Sequence, residues 1–229
     1  MTLRPPSFAQ RSKELLVGRD VARLFVRTPH LRQAPRGDGR PVVVVTGFGG
    51  TDLSLTALRG YLGWLGHDAR PAELGRIGQD VPGLVGRLID RCASVRSETG
   101  ESPALVGWSL GGTLSRETAR RHPELVRRIV TFGTPVEGGP AYTALAWRYT
   151  DEQIERIHEL IDTRYETPIE VPITALWSRN DGVVTPEACI DRRTPGVEHV
   201  EVTSTHLGMG VDPDVWSAIA ERLTTTIDP

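Results

Sequence analysis

The stretch L-V-G-W-S-L-G-G-T-L-S-R-E-T-A-R-R, residues 105–121, decides how the rest of the chain is read. Ala104, Leu105 and Val106 form a short apolar run of the kind a buried strand carries, and a helix-forming run begins after Ser109. Between them stands G-x-S-x-G, residues 107–111, the pattern of a strand that turns sharply into a helix and lifts a serine out of the sheet. Glycines two residues to either side remove the Cβ atoms that would collide in so tight a turn. The serine oxygen is then exposed beside the positive end of a helix, where developing negative charge is favoured. A glycine-rich loop whose serine only caps the helix would carry the same five residues. The rest of the chain therefore has to supply a base, an acid and backbone donors.

Working outward, strand and helix signals alternate. Residues 42–45 are a continuous β-branched run, as expected for a strand covered on both faces. They open into Thr46-Gly47-Phe48-Gly49-Gly50. A helix is expected over 53–65 with Leu55, Leu58, Leu62 and Leu65 on one side, a weaker strand over 67–74, and a helix over 80–96 with Pro82 in its first turn. Downstream, His122-Pro123 stops the helix after Ser109. Strands are expected within 125–132, at 173–177 and at 197–202, with a short helix near Pro186 and a last helix over 214–223. Before this core, Leu15, Leu16, Val21, Leu24 and Phe25 fall at helical spacing, in a segment ending near Thr28-Pro29. Residues 136–170 break the rhythm: Gly138-Gly139-Pro140 is a hinge-like loop, and 141–161 reads as one helix displaying Tyr142, Trp147 and Tyr149. Alternation of this kind implies an α/β fold, a parallel sheet with right-handed crossovers and helices on both faces. In such sheets chemistry collects at the carboxyl ends of the strands.

That rule sorts the six histidines. His30, His67 and His122 fall in turns or strand starts, His158 faces outward on a polar helix, and His199 begins a strand. His206 alone follows a strand directly. Asp181, in Trp177-Ser178-Arg179-Asn180-Asp181-Gly182, stands just past another strand. Glu137, after Gly133-Thr134-Pro135, is its competitor, and an ordinary Asn-Asp-Gly turn is the bland alternative. The order Ser109, Asp181, His206 is the one a G-x-S-x-G sheet uses. His206 is expected to accept the serine proton and return it to the leaving group, while Asp181 fixes the imidazole tautomer. The expected oxyanion donors are the N–H of Leu110 and that of Phe48, with Gly49 as second choice for the latter. A dinucleotide loop at Gly47-x-Gly49-Gly50 fails, because the third glycine of G-x-G-x-x-G falls at Asp52.

A chain of 229 residues with net charge −2 suits one domain, residues 1–229, and gives no electrostatic reason to expect nucleic acid. No basic start with a following apolar run suggests a secretory leader, and no stretch of about 18 apolar residues suggests membrane insertion. Cys92 and Cys189 lack metal spacing and read as reduced thiols, which suits a cytoplasmic location. No metal and no cofactor are expected.

With Gly47-Phe48, G-W-S-L-G-G at 107–112, R-R-H-P at 120–123, Gly133-Thr134-Pro135, W-S-x-x-D-G at 177–182 and His206-Leu207-Gly208, the chain resembles the α/β-hydrolase superfamily. Within it, the chain looks like compact bacterial lipase- or esterase-like hydrolases, over about residues 41–223. Thr46-Gly47 replaces the His-Gly that many members carry, and the family's first two strands are not visible. The resemblance implies a reduced parallel sheet of about six strands, with residues 136–170 as a small helical cap that sets the substrate. It implies a serine hydrolase that cleaves carboxylic esters through an acyl-serine. Thioesterase or acyltransferase chemistry would use the same groups. A non-catalytic binding protein on a hydrolase scaffold is a reading of another class, and cofactor-free lyase or peroxidase-type chemistry would keep the same residues. The expected partner is a small acyl ester or thioester, with an apolar pocket lined by Phe48, Gly49, Trp108, Tyr142, Leu145, Trp147, Tyr149, Leu207 and Met209.

Overall fold

The structure, a computed structural model, describes residues 4–225. Six strands form its sheet: β1 (Pro41–Val45), β2 (Asp68–Pro71), β3 (Ala104–Trp108), β4 (Arg128–Phe132), β5 (Ile173–Ser178) and β6 (Glu198–Val202). They lie in the order β2-β1-β3-β4-β5-β6, and every neighbouring pair is parallel. Eight α-helical segments surround it: α1 (Phe8–Arg11), α2 (Val17–Val26), α3 (Thr28–Leu31), α4 (Thr56–Leu65), α5 (Val81–Thr99), α6 (Leu110–Arg121), α7 (Asp151–Arg164) and α8 (Pro213–Thr224).

Side-chain alternation along the strands explains the three layers. Val42 and Val44 of β1 point to one face and Val43 and Val45 to the other, and all four are buried. On the first face Val106, Val130 and Phe132 meet Leu58 and Leu62 of α4 and Val215 and Ile219 of α8. On the second, Leu105 and Ile129 meet Leu84, Val85 and Leu88 of α5 and Leu114 of α6. Fully burying each such side chain stabilises the fold by about 1.5–3 kcal/mol before entropy is counted. A central parallel strand with two dry faces has no polar alternation, which is why residues 42–45 are all apolar.

Two segments depart from the sequence expectation. The expected helix over 141–161 is broken: Gly139–Tyr142 and Ala146–Arg148 are 3₁₀ turns, and α7 begins only at Asp151. Its start has a local cause, a capping box in which Thr150 and Gln153 each bond the other's backbone. The amphipathic N-terminal segment also continues through α3, one turn past Thr28-Pro29. Much of its apolar stripe faces outward. Leu15, Phe25 and Val26 are more than three-quarters exposed, whereas Asp20 is fully buried. Polar side chains grip the body along much of the segment, and Leu24 and Leu31 pack against the core toward its end.

The turn between β3 and α6 brings the start of the helix against the backbone at the end of β1. A Cβ on Gly111 would sit 2.3 Å from the carbonyl oxygen of Val45 and 2.5 Å from that of Thr46. Both obstacles are backbone and cannot step aside. Gly86, inside α5, has open space at the same position. Gly111→Ala is expected to destabilise the fold by about 3 kcal/mol, and Gly86→Ala to stabilise it by up to about 1 kcal/mol. Urea denaturation midpoints of the two variants check this, and equal midpoints would contradict the packing described.

Candidate active site

Ser109 sits at the carboxyl end of β3 as the N-cap of α6, with φ 54° and ψ −122°. Among the described non-glycine residues only Glu73 shares a positive φ. Such a conformation costs on the order of 1–3 kcal/mol and persists only when the surroundings dictate it. Here the Ser109 N–H donates to Phe132 O at 2.9 Å, and its carbonyl accepts from Gly112 N and from Thr134 Oγ1, both at 3.0 Å. Its side chain does not cap the helix, so the alternative of a merely capping serine finds no hydrogen bond here.

Asp181 follows β5 by three residues and is fully buried. Its Oδ1 accepts from the N–H groups of Val183 (2.9 Å) and Val184 (2.7 Å), and its Oδ2 meets His206 Nδ1 at 2.7 Å. His206 follows β6 by four residues and is nearly buried. Burial pushes its pKa down, but the Asp181 charge and hydrogen bond, with the Glu14 charge, outweigh that, and the net pKa lies above the ordinary value. With Nδ1 bound to Asp181, Nε2 is the ring nitrogen left for a proton transfer.

The imidazole lies against the serine turn. Its ring is 5.7 Å from the ring of Trp108, and a Cβ on Gly133 would be 2.9 Å from its Nδ1. Gly133 adjoins Phe132, whose carbonyl holds the Ser109 amide. Among the described residues neither Ser109 Oγ nor His206 Nε2 is tied up in another hydrogen bond. The competing carboxylate, Glu137, lies instead 3.8 Å from Arg193 Nε. His199 Nε2 accepts from the Asp191 amide. Burial pushes the Cys92 thiol up to about 12 and the Cys189 thiol well above its ordinary value, so neither is an ionised rival nucleophile.

The loop after β1 passes against the serine. A Cβ on Gly47 would lie 3.0 Å from Ser109 Cβ and 3.6 Å from its Oγ. The Phe48 N–H has no backbone acceptor among the described residues, and Leu110, first in α6, has none by helix geometry. Gly49 differs: its N–H donates to Ile77 O, which removes it as the second-choice donor.

A cavity of about 320 Å³ opens from this point, with Phe48, Ser109, Leu110, Leu145 and Tyr149 in its wall. The remaining residues expected to line an acyl pocket lie elsewhere. Met209 is fully buried in the core, and Trp108 stacks on Phe132 within it. Tyr142 packs on His158 and toward Val184. Trp147 is 74% exposed beneath the Arg148 guanidinium, and Leu207 is half exposed. Gly49 shapes its own loop with φ 76°. The rest of the wall is one face of α6, with Thr113 and Arg116, roofed by Ile157 and Ile161. Spacing of 3–4 residues after Ser109 was the available signal for that face. Among the described residues no group of three or more His, Cys, Asp or Glu side chains is arranged to hold a metal ion, and no helix is long and apolar enough to cross a membrane.

Glu14 is the functional candidate that the linear sequence does not single out. Its carboxylate accepts the backbone N–H groups of Gly182 (2.7 Å), His206 (2.9 Å) and Leu207 (2.9 Å).

Comparison with known proteins agrees with this architecture. The sequence pattern of the alpha/beta hydrolase fold matches residues 94–159. None of the curated proteins compared with the chain matches it. The Bacillus licheniformis lipase BlEst2 in its mature form superposes with TM-score 0.64 at 18% identity, over 83% of this chain and 94% of that one. Aspergillus fumigatus lipase B gives 0.63 at 19%, over 85% and 57%. The type II thioesterase BorB from the borrelidin biosynthetic cluster gives 0.58 at 19%, over 83% and 94%. With its six parallel strands and the strand-to-helix turn at Ser109, the chain is a protein of the α/β-hydrolase fold.

Proposed function

We propose that the chain is a serine hydrolase that cleaves carboxylic esters through an acyl-serine. The observation that carries the reading is Ser109 held at positive φ, with a free Oγ, directly after Trp108, whose ring lies 5.7 Å from a buried imidazole fixed at Nδ1 by Asp181. The lipases of like fold support an ester as substrate, and the thioesterase BorB makes a thioester the nearest variant.

In this mechanism His206 Nε2 takes the proton of Ser109 Oγ as the oxygen attacks the ester carbonyl carbon. The carbonyl oxygen becomes an oxyanion and receives the N–H groups of Leu110 and Phe48, each such donor contributing about 3 kcal/mol to the transition state. Collapse breaks the carbonyl–alkoxy bond, and the imidazolium gives its proton to the departing alcohol oxygen. Water then repeats the sequence on the acyl-enzyme, with His206 again as base. Asp181 stabilises the imidazolium without itself taking the proton. The acyl group would lie along α6. Ser109 to Arg116 spans about 10 Å of helix axis, with apolar contacts from Leu145, Ile157 and Ile161 above.

Ser109→Ala is expected to lower p-nitrophenyl ester turnover by about five to six orders of magnitude while the protein stays folded; activity within about tenfold of wild type would contradict the assignment. Because the His206 pKa is raised and only the neutral ring can accept a proton, kcat/KM is expected to fall as pH drops through an apparent pKa above 6.5. Asp181→Asn is expected to move that limb downward and lower kcat by about three to four orders of magnitude. A limb that stays in place, or a comparable loss from Glu137→Gln, would reassign the acid. Leu145→Trp is expected to raise KM for long-chain esters while sparing acetyl esters, as read from an acyl-chain series. A uniform effect across the series would place the acyl group outside the cavity.

A further inference from the structure

The N-terminal segment crosses the rim of the sheet where β5 and β6 end, and its inward side chains grip the two loops that carry Asp181 and His206. Lys13 Nζ donates to Arg179 O at 2.9 Å, and Arg19 donates to Thr203 O at 3.0 Å. Asp20 Oδ2 accepts both the amide and the hydroxyl of Thr205 at 2.9 Å. Glu14 differs from these because it touches both loops at once. Its Oε1 takes the amides of Gly182 and His206, and its Oε2 takes that of Leu207. These are the residue after the candidate acid, the candidate base itself, and the residue after that base.

We propose that Glu14 is a positioning residue, whose one carboxylate couples the Asp181 loop to the His206 loop and sets the imidazole at the angle from which Nε2 serves Ser109. The inference rests on the serine-hydrolase reading above. A carboxylate has about four acceptor sites, so one side chain can take three amides without crowding. Charge-assisted bonds of this kind are about twice as strong as neutral ones. The loops otherwise meet through the Asp181–His206 bond and through the Asn180 side-chain amide, which donates to Thr203 O at 2.8 Å, and neither contact holds the His206 backbone.

The backbone around Gly182 is built for this approach. A Cβ there would lie 2.5 Å from Gln10 O and 3.0 Å from Glu14 Cγ, so the strap lies directly on the turn after Asp181. The anionic groups facing the imidazole are then Asp181 from the β5 side and Glu14 from the strap. Asp20 lies one residue back, on Thr205, and the faces presented by Trp108 and Gly133 are uncharged. Glu14 therefore also favours the imidazolium that forms during turnover.

The test compares Glu14→Gln, Glu14→Asp and Lys13→Ala with wild type. Lys13→Ala loosens the strap at Arg179 and touches neither amide of the His206 loop. Glu14→Gln is expected to lower kcat by about 100-fold with KM nearly unchanged, the size of loss that a misplacement near 1 Å produces. The acid limb of its pH profile is expected to fall below the wild-type value. Glu14→Asp is expected to keep the limb and recover part of kcat, and Lys13→Ala to retain wild-type kcat. NMR titration of the His206 ring reads the same shift without turnover, so it decides the inference even if no ester proves to be a substrate. Wild-type kcat and an unmoved ring titration in Glu14→Gln would overturn it. So would a loss in Lys13→Ala equal to that in Glu14→Gln, which would reduce Glu14 to general anchoring of the strap. If Glu14→Gln does not fold, an Asp variant with wild-type kcat would overturn it, and one with reduced kcat and an unmoved limb would uphold it.

Discussion

The contact on which the account depends is the 2.7 Å hydrogen bond between Asp181 Oδ2 and His206 Nδ1, with both side chains shut away from water. A buried carboxylate is costly unless each oxygen is partnered, and removing its partners costs several kcal/mol. Every neighbouring feature follows from that demand. Two amides cover Oδ1, the imidazole covers Oδ2, and the loop must fold tightly enough to bring Val183 and Val184 back onto their own acid. The strap then fixes where the second loop begins, through Glu14 and Asp20. The pair is satisfied as a unit, and His206 Nε2 is left without a hydrogen bond among the described residues.

The serine turn meets this pair from the other side of the sheet's midline. β3 and β4 lie between β1 and β5, so the loop after β1 and the loops after β5 and β6 converge on Ser109 from opposite directions. Parallel strands make the convergence possible, since all six present their carboxyl ends on one rim. Glycine at 111 lets α6 start almost in contact with the backbone of β1. The Phe48 and Leu110 amides, both on residues lining the cavity at Ser109, are left without backbone partners among the described residues.

Much of this could be read from the residues in order. Residues 42–45 and 104–106 had to be central strands because no polar alternation interrupts them, and Ser109, Asp181 and His206 each do follow a strand. The cap was read less well. A capping box at Thr150 and Gln153 was visible in the sequence and marks where α7 begins, but the run of helix formers before it concealed the boundary. The N-terminal segment inverted the usual rule. Its 3.6-residue apolar stripe suggests an inward face, yet Leu15 and Phe25 are exposed, and beside Leu24 the packing uses Glu14, Asp20 and Arg23, whose partners lie more than 160 residues away. No local pattern encodes a carboxylate that waits for three distant amides. The aromatics of the cap show the same limit in part: Tyr149 does line the cavity, but Trp147 is in solvent and Tyr142 is taken up by His158, while much of the wall comes from α6.

The most direct test of the central claim is chemical. The intact protein is treated with a fluorophosphonate, and the site of the adduct is mapped by mass spectrometry of its peptides. The account predicts a single adduct on Ser109, formed rapidly in the wild type and slowed by orders of magnitude when His206 is replaced by Ala. An unlabelled Ser109 in folded protein, or labelling that is indifferent to the loss of His206, would contradict it.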